Sequence, residues 1–427
     1  MPSGCAAMPP DVAAARRTRI VAVQGTAQLA SAVAAMRAGD RAAGTPAVNH
    51  LLIHNLSCPA DQADEFADCI ARLARLVAEW ATIHHVTADE LAALQRRHTT
   101  DGLAAAATAL AQLTAAPWAD EVLLGQNLLF LNHLIDRAHP RAVKACYGDG
   151  VGLNFSTDYF RPPEFDAGWR GFGRRVERAV RRHTHRWTGA TPPPPRPQGR
   201  KPAHAVAFDR HYLLLANRFD SRVDDYVQLE AAEFRRLFAA FVPELDAAVA
   251  AAGDPLAAEL SRAARVVVLL TSNFSETGRM SLAEEVEACV AAAAAAGGGA
   301  GSLLVVKPHP RDSRDKVRLI AAAAARQFAA VVPLDAPWTF HLPFESVYDR
   351  WFLRDERVRR ATRVVCTSSA GLSLEALYDQ PVEVLFGARI VRRLFTHNWR
   401  SLRVRHEADL GRIIAEIRAA RGRRHAA

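Results

Sequence analysis

Three consecutive stretches form one βαβ unit: RVVVLL (265–270), LAEEVEACVAAAAAA (282–296) closed by Gly297-Gly298-Gly299, and SLLVV (302–306) running into Lys307-Pro308-His309-Pro310. An apolar, β-branched run without a polar break is a strand buried on both faces; a strand with one wet face would alternate. The middle stretch is alanine-rich, carries Glu284 and Glu285 where carboxylates suit a helix dipole, and stops at three glycines. A crossover helix between two such strands implies a parallel sheet.

Downstream the alternation continues with a helix over Arg314–Ala325, a strand over Ala329–Val332, a strand over Arg363–Cys366, a helix over Leu372–Leu377 and a strand over Val382–Leu385. The alanine runs at 291–296 and 321–325 are helical filler rather than repeats. Upstream the same rhythm occurs. Strands are expected at Arg19–Gln24, Asn49–Asn55, Ile83–Val86, Glu121–Leu124, Ala142–Tyr147 and Tyr212–Ala216. Helices are expected at Ala27–Arg37, Ala60–Glu79, Asp89–Arg97, Leu103–Leu113, Ala231–Phe241 and Pro255–Ala264. Thr188–His204, with PPPPRPQ, is an exposed loop.

The expected fold is α/β, with two Rossmann-like domains facing across a cleft. A flexible leader (1–18) precedes an N-terminal domain (19–255) and a C-terminal domain (256–395), and a basic helical tail (396–427, helix Leu410–Arg421) follows. Ligands of such proteins sit at the carboxyl ends of the strands, between the halves.

Composition narrows the class. The 427 residues are half hydrophobic and 23% charged, which is globular. The net charge of +9 suits an anionic ligand or membrane surface, and no nucleic-acid module is recognisable. The most apolar long stretch, 118–135, contains Asp120 and Glu121, against a spanning helix. The N-terminal MPSGCAAMPPDVAAARRTR lacks the apolar core of a secretory signal. Six cysteines at 5, 58, 69, 146, 289 and 366 show no C-x-x-C spacing, so a reducing cytoplasm is expected and a zinc ribbon is not.

Three short segments carry chemistry. Lys307-Pro308-His309-Pro310 follows a strand, and its prolines hold a histidine outward between Lys307 and Arg311. Such a histidine binds a phosphate or protonates a leaving oxygen; the plainer reading is a loop histidine between turn prolines. Cys366-Thr367-Ser368-Ser369-Ala370-Gly371 joins a strand to a helix, whose free N–H groups and neighbouring hydroxyls suit a phosphate. Plain capping by Ser369 or Ser373 is the alternative. Glu375 just beyond could hold a ribose hydroxyl or a partner base, or be solvated. Tyr147-Gly148-Asp149-Gly150 presents one carboxylate between glycines, as a general base for a sugar hydroxyl or as an ordinary Asp-Gly turn.

In that order, Gly148-Asp149-Gly150, His309-Pro310 and Ser368-Ser369 resemble the acidic-Gly, His-Pro and Ser/Thr segments of bacterial sialyltransferases of the GT-B fold. The nearest likeness is to the capsule α-2,8-polysialyltransferase family and related lipooligosaccharide sialyltransferases. Gln24-Gly25 and Leu124-Gly125-Gln126-Asn127 are also similar, and the likeness covers roughly residues 19–390. It implies a CMP-sialic acid donor, a glycan acceptor (anionic or lipid-linked among the options), inversion, and no metal or other cofactor. By the same likeness His309 contacts the donor phosphate and assists its departure, with Lys307, Pro310, Thr367, Ser368, Ser369, Gly371 and Asn273 around the donor. Gln24, Gly25, Asn127 and Gly150 line the acceptor side. The family's base is the first acidic residue of its acidic segment. Gly148 stands there, so the role falls to Asp149, the provisional base, or to another carboxylate such as Asp158, or the acceptor chemistry differs. CMP-Kdo and CDP-glycerol are the alternative donors, and a nucleotide- or glycan-binding protein without turnover is the alternative class.

Remaining features are read more plainly. Arg170–Trp187 is a basic amphipathic stretch, for an anionic glycan or the inner-leaflet membrane surface, or else a solvated helix. His84-His85 and His183/His185 lack a third ligand at metal spacing and are structural. Trp338, Phe340, Phe344, Tyr348 and Trp351 form core or a lid over the nucleotide, with core the simpler choice.

Overall fold

A computed structural model of the chain describes residues 17–54, 56, 58–126, 129–148, 150, 206–215, 225–366, 370–384 and 386–426. The first sheet contains β1 (Thr18–Val23), β2 (Val48–Ile53), β3 (Thr82–His85), β4 (Glu121–Leu124), β5 (Val143–Cys146), β6 (Arg210–Leu213) and β7 (Val227–Gln228), in the order β3-β2-β1-β4-β5-β6-β7. The second contains β8 (Arg265–Leu270), β9 (Gly299–Lys307), β10 (Phe328–Pro333), β11 (Thr362–Cys366) and β12 (Val382–Val384), in the order β10-β9-β8-β11-β12. Every pairing in both sheets is parallel. Strand order therefore reverses twice, between β1 and β4 and between β8 and β11. The expected pair of Rossmann-like domains is what the chain forms.

The first half is covered by α1 (Thr26–Ala43), α2 (Ala63–Val77), α3 (Ala88–Asp101), α4 (Leu103–Leu113) and α5 (Phe130–Ala138). Three helices, α6 (Ala231–Ala240), α7 (Val242–Ala252) and α8 (Pro255–Arg262), lead to β8. The second half carries α9 (Leu282–Gly297), α10 (Arg314–Ala324), α11 (Pro337–Phe340), α12 (Phe344–Tyr348), α13 (Glu356–Ala361), α14 (Ala370–Tyr378), α15 (Gly387–Leu394) and α16 (His397–Ala426). Residues 266–270 of β8 are all buried, as a strand with helices on both faces must be.

Some boundaries move for physical reasons. The first strand begins one residue before the expected Arg19, at Thr18, and Arg17 ahead of it is tied to Asp40 and to the Thr45 carbonyl. The expected helix over Ala60–Glu79 splits into a 3-10 turn (Ala60–Gln62) and α2, whose strong apolar face carries Phe66, Ile70, Leu73 and Val77. Helices α5, α7 and α15 are additional to the sequence reading, as is β7. The same holds for the short-helix run of α11, α12, a π-turn (Asp349–Leu353) and α13. Each is too short or too mixed in composition for a clear period.

The tail is an integral part of the second half. Leu410, Ile413 and Ile414 of α16 are buried, and Arg403 lies 4.8 Å over the Phe274 ring while pairing with Glu407 at 2.8 Å. One apolar cluster runs through both halves, from Val21 and Phe66 through Phe344, Tyr348 and Phe352 to Val266 and Val364. Tyr348 and Phe352 stack with ring centroids 5.6 Å apart, so the aromatic segment is core. Polar links join the halves as well: Arg350 reaches Asp246 (2.7 Å) and Asp254 (2.8 Å), and Arg314 reaches both Glu65 oxygens (2.7 and 2.9 Å).

Candidate functional site

At the reversal of the second sheet, β8 lies between β9 and β11. The loops that leave these strands at 271, 307 and 367 therefore emerge side by side. Thr367, Ser368 and Ser369 lie outside the described residues, so the hydroxyl segment is placed only by its flanks, Cys366 and Ala370.

The loop from Lys307 to Asp312 is locked from behind. The His309 amide donates to Thr271 Oγ1 (2.8 Å) and to Asp312 Oδ2 (3.0 Å), and Thr271 Oγ1 itself bonds Asp312. The Arg311 amide donates to His309 Nδ1 at 3.1 Å. His309 is half-buried. Burial, followed by the cations Arg311, Lys316 and Lys307, holds its ring well below the usual histidine range.

Lys307 does not stand beside His309 as a phosphate clamp. Its side chain turns inward, is buried, and donates to the Pro308 (2.9 Å) and Phe340 (2.7 Å) carbonyls. Burial brings its ammonium down to about 8. In this position it fixes the loop and adds positive potential. Pro310 is half-buried next to His309. Asn273, 8% exposed, has no side-chain hydrogen bond among the described residues, whereas Thr271 and Ser272 serve the loop through Thr271 Oγ1 and the Ser272 carbonyl.

Behind this loop lies a charge cluster that sequence reading missed. Lys316 Nζ donates to the Ser272 carbonyl (2.5 Å), Glu285 (2.6 Å), Asp312 (2.9 Å) and Glu276 (3.1 Å). Burial works against the Lys316 charge, but Asp312, Glu285 and Glu276 together hold it above the ordinary lysine range. Burial pushes the Asp312 carboxyl up to about 6, against the pull of Lys316. Glu285 also accepts the Phe274 (3.3 Å) and Ser275 (2.7 Å) amides. It therefore does more than complement the helix dipole, which is left to Glu284 in a capping box with Ser281. The Asp312–Lys316 spacing is visible in the sequence as an i,i+4 pair. Glu285 comes from another helix, and no local pattern links it to them.

The first sheet presents carboxamides at its own reversal. Gln24 follows β1, and its Oε1 accepts from Gln126 Nε2 at 3.4 Å, while Asn132 Nδ2 donates to the Gln126 carbonyl at 2.7 Å. Gln24 Nε2 and Asn132 Oδ1 are buried without a partner among the described residues. Gly25 is extended and a Cβ there would only touch Phe66 at 3.7 Å, so neither backbone nor space demands glycine. After β5, Gly148 and Gly150 have φ of +83° and +79°, a region that L side chains rarely adopt. The Gly150 carbonyl accepts from Ser31 Oγ. Asp149 between them, Asn127, the basic stretch 170–187 and the proline-rich loop 188–204 lie outside the described residues.

The strand-end loops of the two halves meet on one short peptide. Lys307 Nζ donates to the Phe340 carbonyl, and Thr26 Oγ1, at the start of α1, donates to the next carbonyl, His341, at 2.8 Å. Phe66 stacks on the His341 ring (centroids 4.7 Å apart, 16° between planes), and His341 Nε2 lies 3.2 Å from Glu65 Oε1. Burial, with Lys307 and Arg314, lowers the His341 ring to about 3, so the ring is neutral beside that carboxylate.

Two readings around the hydroxyl segment are corrected. Glu375 neither faces solvent nor is available to a ribose. It is buried, accepts the Val382 amide (2.9 Å), and pairs with Arg418 (3.0 Å from Nε) and Arg421 (3.4 Å) of α16. Gly371 is small for packing, since a Cβ would lie 2.7 Å from Val382 Cγ1 and 3.1 Å from Cys366 Cβ. Ser373 donates to the Ala370 carbonyl (2.7 Å) and to buried Glu345 rather than capping the helix. Among the described residues, no group of three or more His, Cys, Asp or Glu is placed to hold a metal ion. No helix among them is long and apolar enough to cross a membrane.

No family model matches the chain, and no curated protein matches it. Among solved structures, the S. aureus MnaA–UDP co-structure aligns at 9% identity over 86% of this chain and 79% of that one, with a TM-score of 0.43. The spinosyn rhamnosyltransferase SpnG aligns at 13% identity over 95% of this chain and 96% of that one, with a TM-score of 0.39. By its own strand order, the chain is an α/β protein of two Rossmann-like domains joined through one core.

Proposed function

We propose that the protein is an inverting, metal-independent glycosyltransferase that moves sialic acid from CMP-sialic acid to a hydroxyl of a surface glycan or capsule acceptor. The observation that carries this reading is the placement of the His309 loop and the flanks of the 367–369 segment on either side of β8, at the reversal of the second sheet. His309 contacts the leaving phosphate, Ser368 and Ser369 add hydroxyl donors, and the start of α14 adds helix-end potential. The carboxamides Gln24, Gln126 and Asn132 meet acceptor hydroxyls, and Asp149 takes the acceptor proton on the opposite side. Catalysis is in the cytoplasm, with peripheral contact at the inner-leaflet surface through the basic stretch 170–187.

The test is CMP release from CMP-sialic acid by purified protein, with and without sialylated oligosaccharide, in the presence and absence of EDTA. Acceptor-stimulated, EDTA-insensitive release is expected. Loss of activity in EDTA overturns the metal-independent part. CMP binding without release under any acceptor overturns transfer and leaves a nucleotide-binding protein. A second donor class is favoured by one observation: a positive φ at Gly148, where the resembling family carries its base. CMP-Kdo and CDP-glycerol therefore belong in the same screen, and turnover of either without turnover of CMP-sialic acid decides for it.

A further inference from the structure

The 307–312 loop does more than present a histidine; it selects which ring nitrogen carries the proton. A backbone amide can only donate, so the Arg311 N–H at 3.1 Å from His309 Nδ1 requires a lone pair there. In the neutral ring the proton is then on Nε2, which has no hydrogen-bond partner among the described residues. The arrangement is enforced from behind. The His309 amide is held by Thr271 Oγ1 and Asp312 Oδ2, and Asp312 is held by Lys316, which Glu276 and Glu285 neutralise from the neighbouring loop and α9.

We infer that His309 acts on the donor phosphate as a neutral Nε2–H hydrogen-bond donor, not as a proton-transferring acid, and that Thr271 and Asp312 are the positioning residues that hold the loop in which the Arg311 amide selects this tautomer. The inference rests on the transferase reading for its substrate but not for its geometry. The charged groups around the ring agree with it. Lys307, Arg311 and Lys316 all disfavour an imidazolium, and the Asp312 carboxylate is engaged by Lys316 and by the His309 amide. A proton on Nδ1 would also remove the acceptor for the Arg311 amide. During transfer the C–O bond to the donor phosphate breaks with its electron pair on the phosphate oxygen. The acceptor oxygen forms the new C–O bond, its proton goes to the Asp149 carboxylate, and the imidazole neither gains nor loses one. The Nε2–H bond stabilises the charge that grows on the phosphate.

Nitrogen-15 NMR of histidine-labelled protein, with His309→Gln identifying the signal, tests the tautomer without any substrate. The expected spectrum shows Nδ1 unprotonated and Nε2 protonated from pH 8 down to pH 6. An imidazolium in that range, or the Nδ1–H tautomer, overturns the inference. Turnover supplies the second arm. His309→Ala is expected to lose about 10²–10³-fold in kcat, whereas His309→Gln, whose amide can donate but cannot transfer a proton, is expected to remain within about tenfold of wild type. Equal loss in the two variants, with a wild-type kcat that falls as pH rises from 6 to 8, identifies an acid and overturns it. Absence of turnover with every donor sinks the transferase reading alone, because the NMR arm still decides the tautomer.

Discussion

The His341 ring is stacked on Phe66 and lies within reach of a carboxylate, yet it remains neutral, because the contact with Glu65 does not repay desolvation beside Lys307 and Arg314. Its folded-state value of about 3 lies below the ordinary histidine value, so the unfolded chain binds more protons at acid pH. Stability is therefore complete above about pH 6.5 and falls as pH drops toward 3. His406, also lowered to about 3 by burial, adds to the same limb. The His341→Phe variant keeps the stack and removes the titration. It should be more stable than wild type at pH 5 by about 1–2 kcal/mol and about equal at pH 8. Thermal melts at the two pH values check this; an unchanged difference between them would show that His341 is not part of the acid limb. At this scale the sequence displayed His309 through its prolines and strand context. His341 carried no sign, since its neighbours come from α2, α10 and β9.

Helix α16 is an element that one buried charge helps to seat. Composition identifies it as basic and helical, and basic helices at a chain end are ordinarily solvated. Here Glu375 of α14 takes Arg418 and Arg421, which brings the helix against the second sheet over Leu410, Ile413 and Ile414. Glu375→Gln retains an acceptor for the Val382 amide but leaves Arg418 without its charge partner, while Arg421 keeps Asp379 at 2.6 Å. Because both arginines keep some solvent contact, the expected cost is about 2 kcal/mol, below that of breaking a fully buried pair. Hydrogen exchange across 410–423 should rise while exchange in β8 and β9 stays slow. Unchanged exchange in the helix would assign its docking to the apolar contacts alone. The long strands were legible for the opposite reason: 266–270 and 303–306 are buried on both faces, so their composition alone declares them.

Across the whole molecule, the two halves are held by a shared apolar cluster and by a few polar contacts at the strand ends. Arg314 to Glu65, with His341 on Phe66 and on Thr26, fastens α1 and α2 of the first half to α10 and the peptide after α11 of the second. These side chains are partly solvent-exposed, so the ion pair itself contributes about 0.2–1 kcal/mol. Glu65→Gln is therefore expected to leave the melting temperature nearly unchanged while loosening the approach of the halves. A larger radius of gyration in small-angle X-ray scattering is the predicted readout. An unchanged radius would mean that the apolar cluster alone sets the spacing.

The sequence by itself determined the local and periodic facts: two runs of βαβ units, and histidine and glycine segments directly after strands. These are legible because burial on both faces and crossover helices leave marks within a window of a few residues. Only the tertiary structure decided that Lys307 turns inward, that Glu375 anchors a helix rather than a ligand, and that Asp312, Lys316 and Glu285 stand together behind His309. The desolvation that makes those charges consequential arises only once distant elements pack, and no local pattern records which partners they will find.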